Sequence, residues 1–238
     1  MKKQLIFSLL AAFAGMNLLS SCSNDAAPNN KLQEPTMATE TVNANQGTEQ
    51  IKSATPATVI SNLTEAFTGE TTASAKYAAY SQKAMAEGFP QIAMLFKAAS
   101  ASEQIHANNH QAVLEDMGAK IPEVKPVFTV KTTQENLLDA IAGESYEIST
   151  MYPEFLTNAK AVSSQLAMIS LNYAYKTEQK HKVLYDKALA ALQNKDVQSL
   201  SMQYYICPTC GNTYDTAPPK RCGISMTGSE KFIRVATV

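Results

Sequence analysis

Excess charge is nearly lacking: 20 lysines and arginines stand against 21 aspartates and glutamates, a formal net charge of −1. A protein that holds nucleic acid or an anionic membrane by general electrostatics needs a basic surplus, so partners of that kind are set aside. Glycine and proline are also scarce, at 9 and 10 of 238 residues. The Ala, Glu, Lys, Gln and Leu that fill the middle of the chain favour helix over sheet. Histidine occurs three times and cysteine four, so the placement of these few residues carries information. The length suits one good core with a small appendage, or two modest domains.

A long apolar run, Leu5 to Leu19, follows Lys2 and Lys3 and is closed by small residues. Residues 1–22 therefore read as a processing segment, excluded from the fold. The run ends in Leu19-Ser20-Ser21-Cys22, which resembles the lipobox of bacterial lipoproteins, whose cysteine is lipidated and becomes the first residue of the mature chain. An ordinary cleaved signal peptide and an uncleaved anchor are the alternatives. Residues 23–57 hold almost no large apolar side chain and read as a flexible tether, which would lift a domain off the membrane that Cys22 is fixed to. The expected location is the cell envelope. Ser23 stands where retention at the inner membrane often has Asp, which favours the outer membrane.

Four helical segments follow, marked by apolar residues at spacings of three and four. The first spans about Thr58 to Ala86, with Leu63, Phe67, Ser74, Tyr77, Ser81 and Ala84 on one stripe. The second spans about Gln91 to Met117, with Ile92, Phe96, Ala99, Val113 and Met117 inward, and Gly118 closes it. A proline-containing stretch from Ala119 to Thr133 is too long for a tight turn and reads as a crossover. The third helix is expected over Gln134 to Lys160, with Leu137, Ile141, Ile148, Met151 and Phe155 inward. The fourth is expected over Ser164 to Gln193, with Met168, Leu171, Tyr175, Tyr185 and Leu192 inward. Two hairpins joined by one long crossover make an all-α, ferritin-like four-helix bundle over residues 58–195.

Each stripe is interrupted by a glutamate: Glu70, Glu103, Glu144 and Glu178. A buried, ionised carboxylate is costly unless it is paired or bound to a cation, so four near one level call for metal. Two of them open Glu-x-x-His, as Glu103 with His106 and Glu178 with His181. Residues three apart share a helix face, so carboxylate and imidazole project to one point. One Glu from each of two helices, with Glu-x-x-His from each of the other two, is the general ligand pattern of ferritin-like di-iron bundles. Gly143-Glu144 repeats Gly69-Glu70, and Glu103 follows Glu70 by 33 residues as Glu178 follows Glu144 by 34. The hairpin is duplicated, which places the ligands about a pseudo-twofold axis. A lone glutamate belongs on the surface; it is the stripe, order and repeat of the six together that argue otherwise.

Glu147 stands three residues after Glu144 on the same face. Together with Tyr77, seven residues after Glu70, and with Tyr152-Pro153-Glu154-Phe155, these motifs resemble the rubrerythrin di-iron domain over about Val59 to Leu192. The resemblance implies that Glu70, Glu103, Glu144 and Glu178 bind or bridge two iron ions, with His106 and His181 completing the set. Glu147 is then the additional carboxylate that distinguishes rubrerythrins, in which one iron shifts between a carboxylate and a histidine with redox state. Tyr77 and Tyr152 match family tyrosines that bond ligand carboxylates, with core packing as the alternative. The resemblance places Glu147, Tyr77 and Tyr152 nearest to catalysis and implies a homodimer. His110, one turn beyond His106, reads as a packed histidine rather than a ligand, and the ten methionines as packing.

After Gln193 the helical period ends. Cys207-Pro208-Thr209-Cys210-Gly211 and then Cys222-Gly223-Ile224-Ser225 follow, and two such knuckles can direct ligands at one tetrahedral metal. Residues 200–238 resemble the rubredoxin-like domain of rubrerythrins, with Ser225 where the fourth cysteine belongs. One iron or zinc ion on Cys207, Cys210 and Cys222 is one expectation; a Cys207–Cys210 disulfide in an oxidising envelope is the other.

The function these features imply is reduction of hydrogen peroxide to water by a di-iron centre fed by an external electron donor. The alternative is a lipoprotein that binds, oxidises or sequesters ferrous iron without sustained turnover.

Overall fold

Thr55 closes the amino end of the first helix through a capping box with Thr58, and Pro56 supplies the fixed φ of its first turn. Helix α1 (Pro56–Ala86) thus starts two residues ahead of the pattern in the apolar stripe. The computed structural model describes residues 54–237; the expected processing segment with Cys22, and most of the expected tether, lie outside them. Helix α1 turns into α2 (Pro90–Asp116) at Gly88, whose φ of 82° and the Phe89 N–H bond to the Ala84 carbonyl at 2.9 Å stop the helix sharply.

The crossover from α2 carries no regular structure over residues 119–132. Its Val127-Phe128-Thr129-Val130 run forms no strand; it has no neighbouring chain to pair with, and Val127 is 88% exposed. Tyr80 bonds the Thr129 carbonyl at 3.3 Å and so ties the crossover to α1. A second capping box, Thr132 with Glu135, opens α3 (Thr133–Tyr146).

The third bundle helix is not continuous. It widens into a single π turn over Glu147–Met151 before resuming as α4 (Tyr152–Ala161), and the Tyr152 N–H reaches back to the Glu147 carbonyl. Pro153 explains the interruption: it has no N–H to give the preceding turn and would clash with its carbonyl, and the extra residue in the turn relieves both. Helix α5 (Gln165–Gln193) completes the bundle. Its buried face is Ala167, Ser170, Leu171, Ala174, Thr177, Glu178, His181, Tyr185 and Ala188. Met168 and Tyr175, expected inward, sit at the core's edge, because small residues beside them allow α5 a closer approach to its neighbours.

The core is split in two. One apolar cluster holds Tyr77, Tyr80, Ile92, Phe96, Leu137 and Tyr185 among others; another holds Leu63, Phe67, Leu114, Tyr152, Phe155 and Leu171. On every bundle helix the step from one cluster to the other crosses a glutamate. The tail forms a small antiparallel sheet of β1 (Tyr204–Ile206), β2 (Thr213–Tyr214) and β3 (Ile233–Val235), in the order β2-β1-β3. Tyr205 pairs with Tyr214 on one side and Arg234 on the other. Tyr204, Ile206 and Val235 join the first apolar cluster, so the sheet packs against the bundle and extends its core.

Glu87 staples the end of α1 to the start of α3: its carboxylate accepts from the Thr133 N–H at 2.8 Å and the Thr133 hydroxyl at 2.6 Å. Those bonds lower its pKa from 4.5 to about 2. A carboxylate depressed on folding contributes stability above its unfolded pKa and loses it as pH falls toward the folded one. Glu87→Gln is therefore expected to cost about 1 kcal/mol at pH 7, read by denaturant unfolding, and the gap from the parent should close as the pH is taken from about 4.5 down to about 2.

Candidate metal centre

The polar layer between the two apolar clusters gathers Glu70 from α1, Glu103 and His106 from α2, Glu144 from α3, and Glu178 and His181 from α5; each is at most 2% exposed. They form two overlapping groups of four, Glu70, Glu103, His106 and Glu178, and Glu103, Glu144, Glu178 and His181, with one ligand atom from each member lying within 4.8 Å of the others. Glu103 and Glu178 belong to both. The Glu178 oxygens lie 2.8 Å from His106 Nδ1 and 2.7 Å from His181 Nδ1, and those of Glu103 lie 3.1 Å from each. Each of the two thus offers one oxygen to either side, as a bridging carboxylate does. Glu70 and Glu144 flank the pair, one in each group.

Tyrosines repeat the symmetry. Tyr77 from α1 donates to Glu144 at 3.0 Å, and Tyr152, the first residue after the π turn, donates to Glu70. Both positions that the sequence left open between packing and a bond to a ligand make the bond. Glu147 begins the π turn and is half-buried beside the centre. It belongs to neither group of four, and burial together with Glu70, Glu178 and Glu103 pushes its pKa well above the carboxylate range.

The electrostatics show what the donor set lacks. Burial raises Glu70 to about 7, with the Glu178 carboxylate adding to it, and Glu144 is raised well above its ordinary value by burial and by its acidic neighbours. Burial alone would lower both histidines, yet the carboxylates beside them overcome it: His106 is raised well above its ordinary value and His181 to about 10. Burial raises Glu178 too, and the two histidines reverse this, to about 2. Without a cation, the site balances its charge by holding protons. Both oxygens of Glu103, Glu144 Oε2, Glu178 Oε1 and His106 Nδ1 are buried with no aligned hydrogen-bond partner. Unpartnered oxygen and imidazole donors converging on two points fit a pair of divalent transition-metal ions.

The tail fixes the histidines from outside. His106 Nε2 donates to the Cys210 carbonyl at 3.0 Å, and His181 Nε2 meets the Thr213 hydroxyl at 3.1 Å. Thr213 gives its own proton to the Gly211 carbonyl, so its oxygen accepts from His181. With each Nε2 proton committed to the tail, Nδ1 is the atom of each ring that faces the carboxylates, and its proton is the one a cation would displace. Ser102 and Thr177 hold the same loop through the Gly211 and Cys210 carbonyls, at 2.8 and 2.9 Å. Sequence reasoning did not single out Ser102, Thr177, Gly211 or Thr213 for the centre; only the meeting of bundle and tail reveals them. His110 is fully buried, and burial lowers it to about 3. It lies 2.8 Å from Ser170 and 3.4 Å from Tyr152, and so supports the tyrosine on Glu70 rather than joining the ligands.

Cys207, Cys210 and Cys222 are buried, free thiols, and their sulfurs lie within 4.8 Å of one another. The expected alternative, a Cys207–Cys210 disulfide, is not formed. Ser225 Oγ stands 3.2 Å from Cys207 Sγ.

The rubrerythrin family model matches residues 61–189, more than half of the chain, a range that includes the four glutamates and two histidines of the layer. The chain belongs to the rubrerythrin family. Rubrerythrin-2 of Clostridium acetobutylicum is 36% identical, over 71% of this chain and 92% of its own. Nigerythrin of Nitratidesulfovibrio vulgaris is 32% identical, over 73% and 84%. Among solved structures, nigerythrin in its fully reduced, all-ferrous state is 30% identical, covering 74% of this chain and 86% of that chain with a TM-score of 0.67. A bacterioferritin of Rhodobacter capsulatus, 19% identical with a TM-score of 0.53, shares the fold. The rubrerythrin bundle and its three-cysteine tail form one compact unit.

Gly211 sits at φ 77°, and a Cβ there would fall 2.4 Å from His106 Nε2 and 2.6 Å from Ser102 Oγ. Gly211→Ala should lower stability by about 2–4 kcal/mol and loosen the imidazole, read by chemical unfolding and by loss of the protected His106 N–H signal in proton NMR.

Proposed function

We propose that this rubrerythrin is a di-iron oxidoreductase that reduces hydrogen peroxide to water, drawing electrons from an external donor. The observation that carries the reading is the pair of four-residue groups sharing Glu103 and Glu178, with Glu147 held in reserve beside them. Glu70 and His106 would hold one ion, Glu144 and His181 the other, with Glu103 and Glu178 spanning both. Bound as a ferrous pair, the ions would supply the two electrons that, with two protons, turn one peroxide into two waters.

The chain's own residues set the conditions for that chemistry. Tyr77 and Tyr152 each hold one oxygen of a flanking carboxylate and so fix where Glu144 and Glu70 sit against the layer. The Cys210 carbonyl and Thr213 keep both imidazoles presenting Nδ1. The apolar clusters on either side keep bulk water from the layer. Glu147 stands where the helix has already surrendered its regular hydrogen bonding, so its carboxylate has more freedom to approach and withdraw than one on an unbroken helix.

One observation favours the second reading, iron binding or oxidation without sustained turnover: Ser225 removes a thiolate from the tail, through which electrons would enter. Full-length protein purified without oxygen should bind two ferrous ions, and His106→Ala with His181→Ala should abolish most of that uptake, by elemental analysis. Steady-state peroxide consumption with a rubredoxin-type or chemical donor supports the peroxidase. A single stoichiometric oxidation supports iron handling, and no peroxide-dependent oxidation at all defeats the first reading.

For its location, we propose the cell envelope, with lipid on Cys22. The support is the charged start, the apolar run and Leu19-Ser20-Ser21-Cys22; among the described residues no helix is long and apolar enough to cross a membrane. Cys22→Ala should abolish incorporation of a labelled fatty acid and release the protein from the membrane fraction. Association as a homodimer is part of the same proposal, supported by the exposed Leu138, Tyr146, Leu166, Ile169 and Val183 on α3 and α5.

A further inference from the structure

The two knuckles of the tail follow one backbone plan. In the first, Cys207-Pro208-Thr209-Cys210 leads to Gly211 at φ 77°; the Gly211 N–H returns to the Cys207 carbonyl at 2.9 Å, and the Cys207 N–H bonds Asn212 O at 3.0 Å. In the second, Cys222-Gly223-Ile224-Ser225 leads to Met226 at φ 62°; the Met226 N–H returns to the Cys222 carbonyl at 3.1 Å, and the Cys222 N–H bonds Thr227 O at 2.8 Å. Position for position, Ser225 stands where Cys210 stands. Met226 has a Cβ, pays for the left-handed conformation that glycine takes freely, and is 61% exposed, so its own burial does little to offset the strain. The second knuckle therefore keeps the turn that aims position 225 inward at a local cost.

The hydroxyl is prepared as well as placed. Ser225 Oγ lies 2.9 Å from Thr227 Oγ1, and Thr227 spends its own proton on Thr209 at 2.8 Å. Ser225 is thus the donor of that pair, its proton points away from the sulfurs, and its lone pairs are left for the cluster. Ser225 Oγ is 3.2 Å from Cys207 Sγ, and Cys210 Sγ is 3.4 Å from Cys222 Sγ. A tetrahedral ion with bonds of about 2.3 Å to sulfur and 2.0 Å to oxygen separates its ligands by about 3.5–3.8 Å, so these two pairs need to spread only slightly, and all three sulfurs already lie within 4.8 Å of one another. The Ile224 N–H and Asn212 Nδ2 point at Cys222 Sγ from 3.4 and 3.6 Å, donors suited to a thiolate.

We propose that Ser225 Oγ is the fourth ligand of a tetrahedral divalent transition-metal ion, iron or zinc, held with Cys207, Cys210 and Cys222 as a three-sulfur, one-oxygen site. The proposal rests on the reading that the tail holds metal. The three thiols release their protons to solvent as the ion enters, and no electron changes hands.

Cobalt(II) tests this on the full chain, stripped of metal and kept reduced. Thiolate-to-cobalt charge-transfer absorption reports the tail alone, because the bundle's donors are carboxylates and imidazoles. Parent protein should show this band at about three-quarters of the intensity of Ser225→Cys, in proportion to thiolates bound. Ser225→Ala should weaken the cobalt binding read by the charge-transfer band at least about tenfold and shift the ligand-field bands, and X-ray absorption of the fully zinc-loaded protein, averaged over the tail ion and the two bundle ions, should count about one sulfur per zinc in the parent and about a third more in Ser225→Cys. A Ser225→Ala protein equal to the parent in affinity and bands overturns the serine ligand while leaving a three-cysteine metal site standing. A sulfur count equal in parent and Ser225→Cys, or no sulfur in the parent, also overturns the proposal. Absence of the charge-transfer band from the parent, whether or not Ser225→Cys shows it, overturns both the ligand and the metal reading of the tail.

Discussion

A bundle of this size cannot keep four buried glutamates, with Glu147 half-buried beside them, in its dry interior without positive charge among them. Each carboxylate moved from water into a low-dielectric core costs several kcal/mol unless something compensates. In the described structure the histidines and retained protons do so: Glu178 stays ionised because His106 and His181 are cationic beside it, while Glu70 and Glu144 are driven toward their neutral forms. Two divalent ions would displace those protons and satisfy the same oxygens. The division of the apolar core into two clusters follows from the same constraint, since a layer of ligands cannot also be a layer of leucines.

That layer is kept symmetric by means that differ in detail on its two sides. A tyrosine holds each flanking carboxylate, but Tyr77 comes from an unbroken helix and Tyr152 from the exit of a π turn. The asymmetry has one source, Pro153 in the third bundle helix, and one beneficiary, Glu147. The two hairpins present matching side chains; one departure from helical geometry, in a single copy, begins at Glu147, half-buried on one side of the centre.

Most of the bundle was legible in the sequence because its signals are local. Stripes at three and four, Gly118 at a helix end, and Glu-x-x-His each depend on residues within a turn or two of one another. The helix starts moved by a residue or two, with Thr55 and Thr132 acting as caps, and on α5 the expected Leu171 and Tyr185 are buried while Met168 and Tyr175 stop at the core's edge beside small residues. The π turn escaped notice, although Tyr152-Pro153 inside a helical pattern was its signal. What could not be read was the docking of the tail: nothing within a few residues of Ser102, Thr177 or Thr213 says that they will meet a loop far away in the chain.

That docking separates two roles of the tail which the sequence presents as one. The tail holds His106 through the Cys210 carbonyl and His181 through the Thr213 hydroxyl, whose own proton goes to the Gly211 carbonyl, all on the first knuckle or just beyond it. The substitution that distinguishes this chain from a four-cysteine tail falls on the second knuckle, at Ser225, which touches neither histidine. Orientation of the imidazoles therefore depends on the backbone path of the first loop and on Gly211, whereas the electronic character of any ion in the tail depends on the fourth ligand. A serine can retune the second without disturbing the first, which is why a cysteine could be lost here while the ligand geometry of the bundle stayed intact.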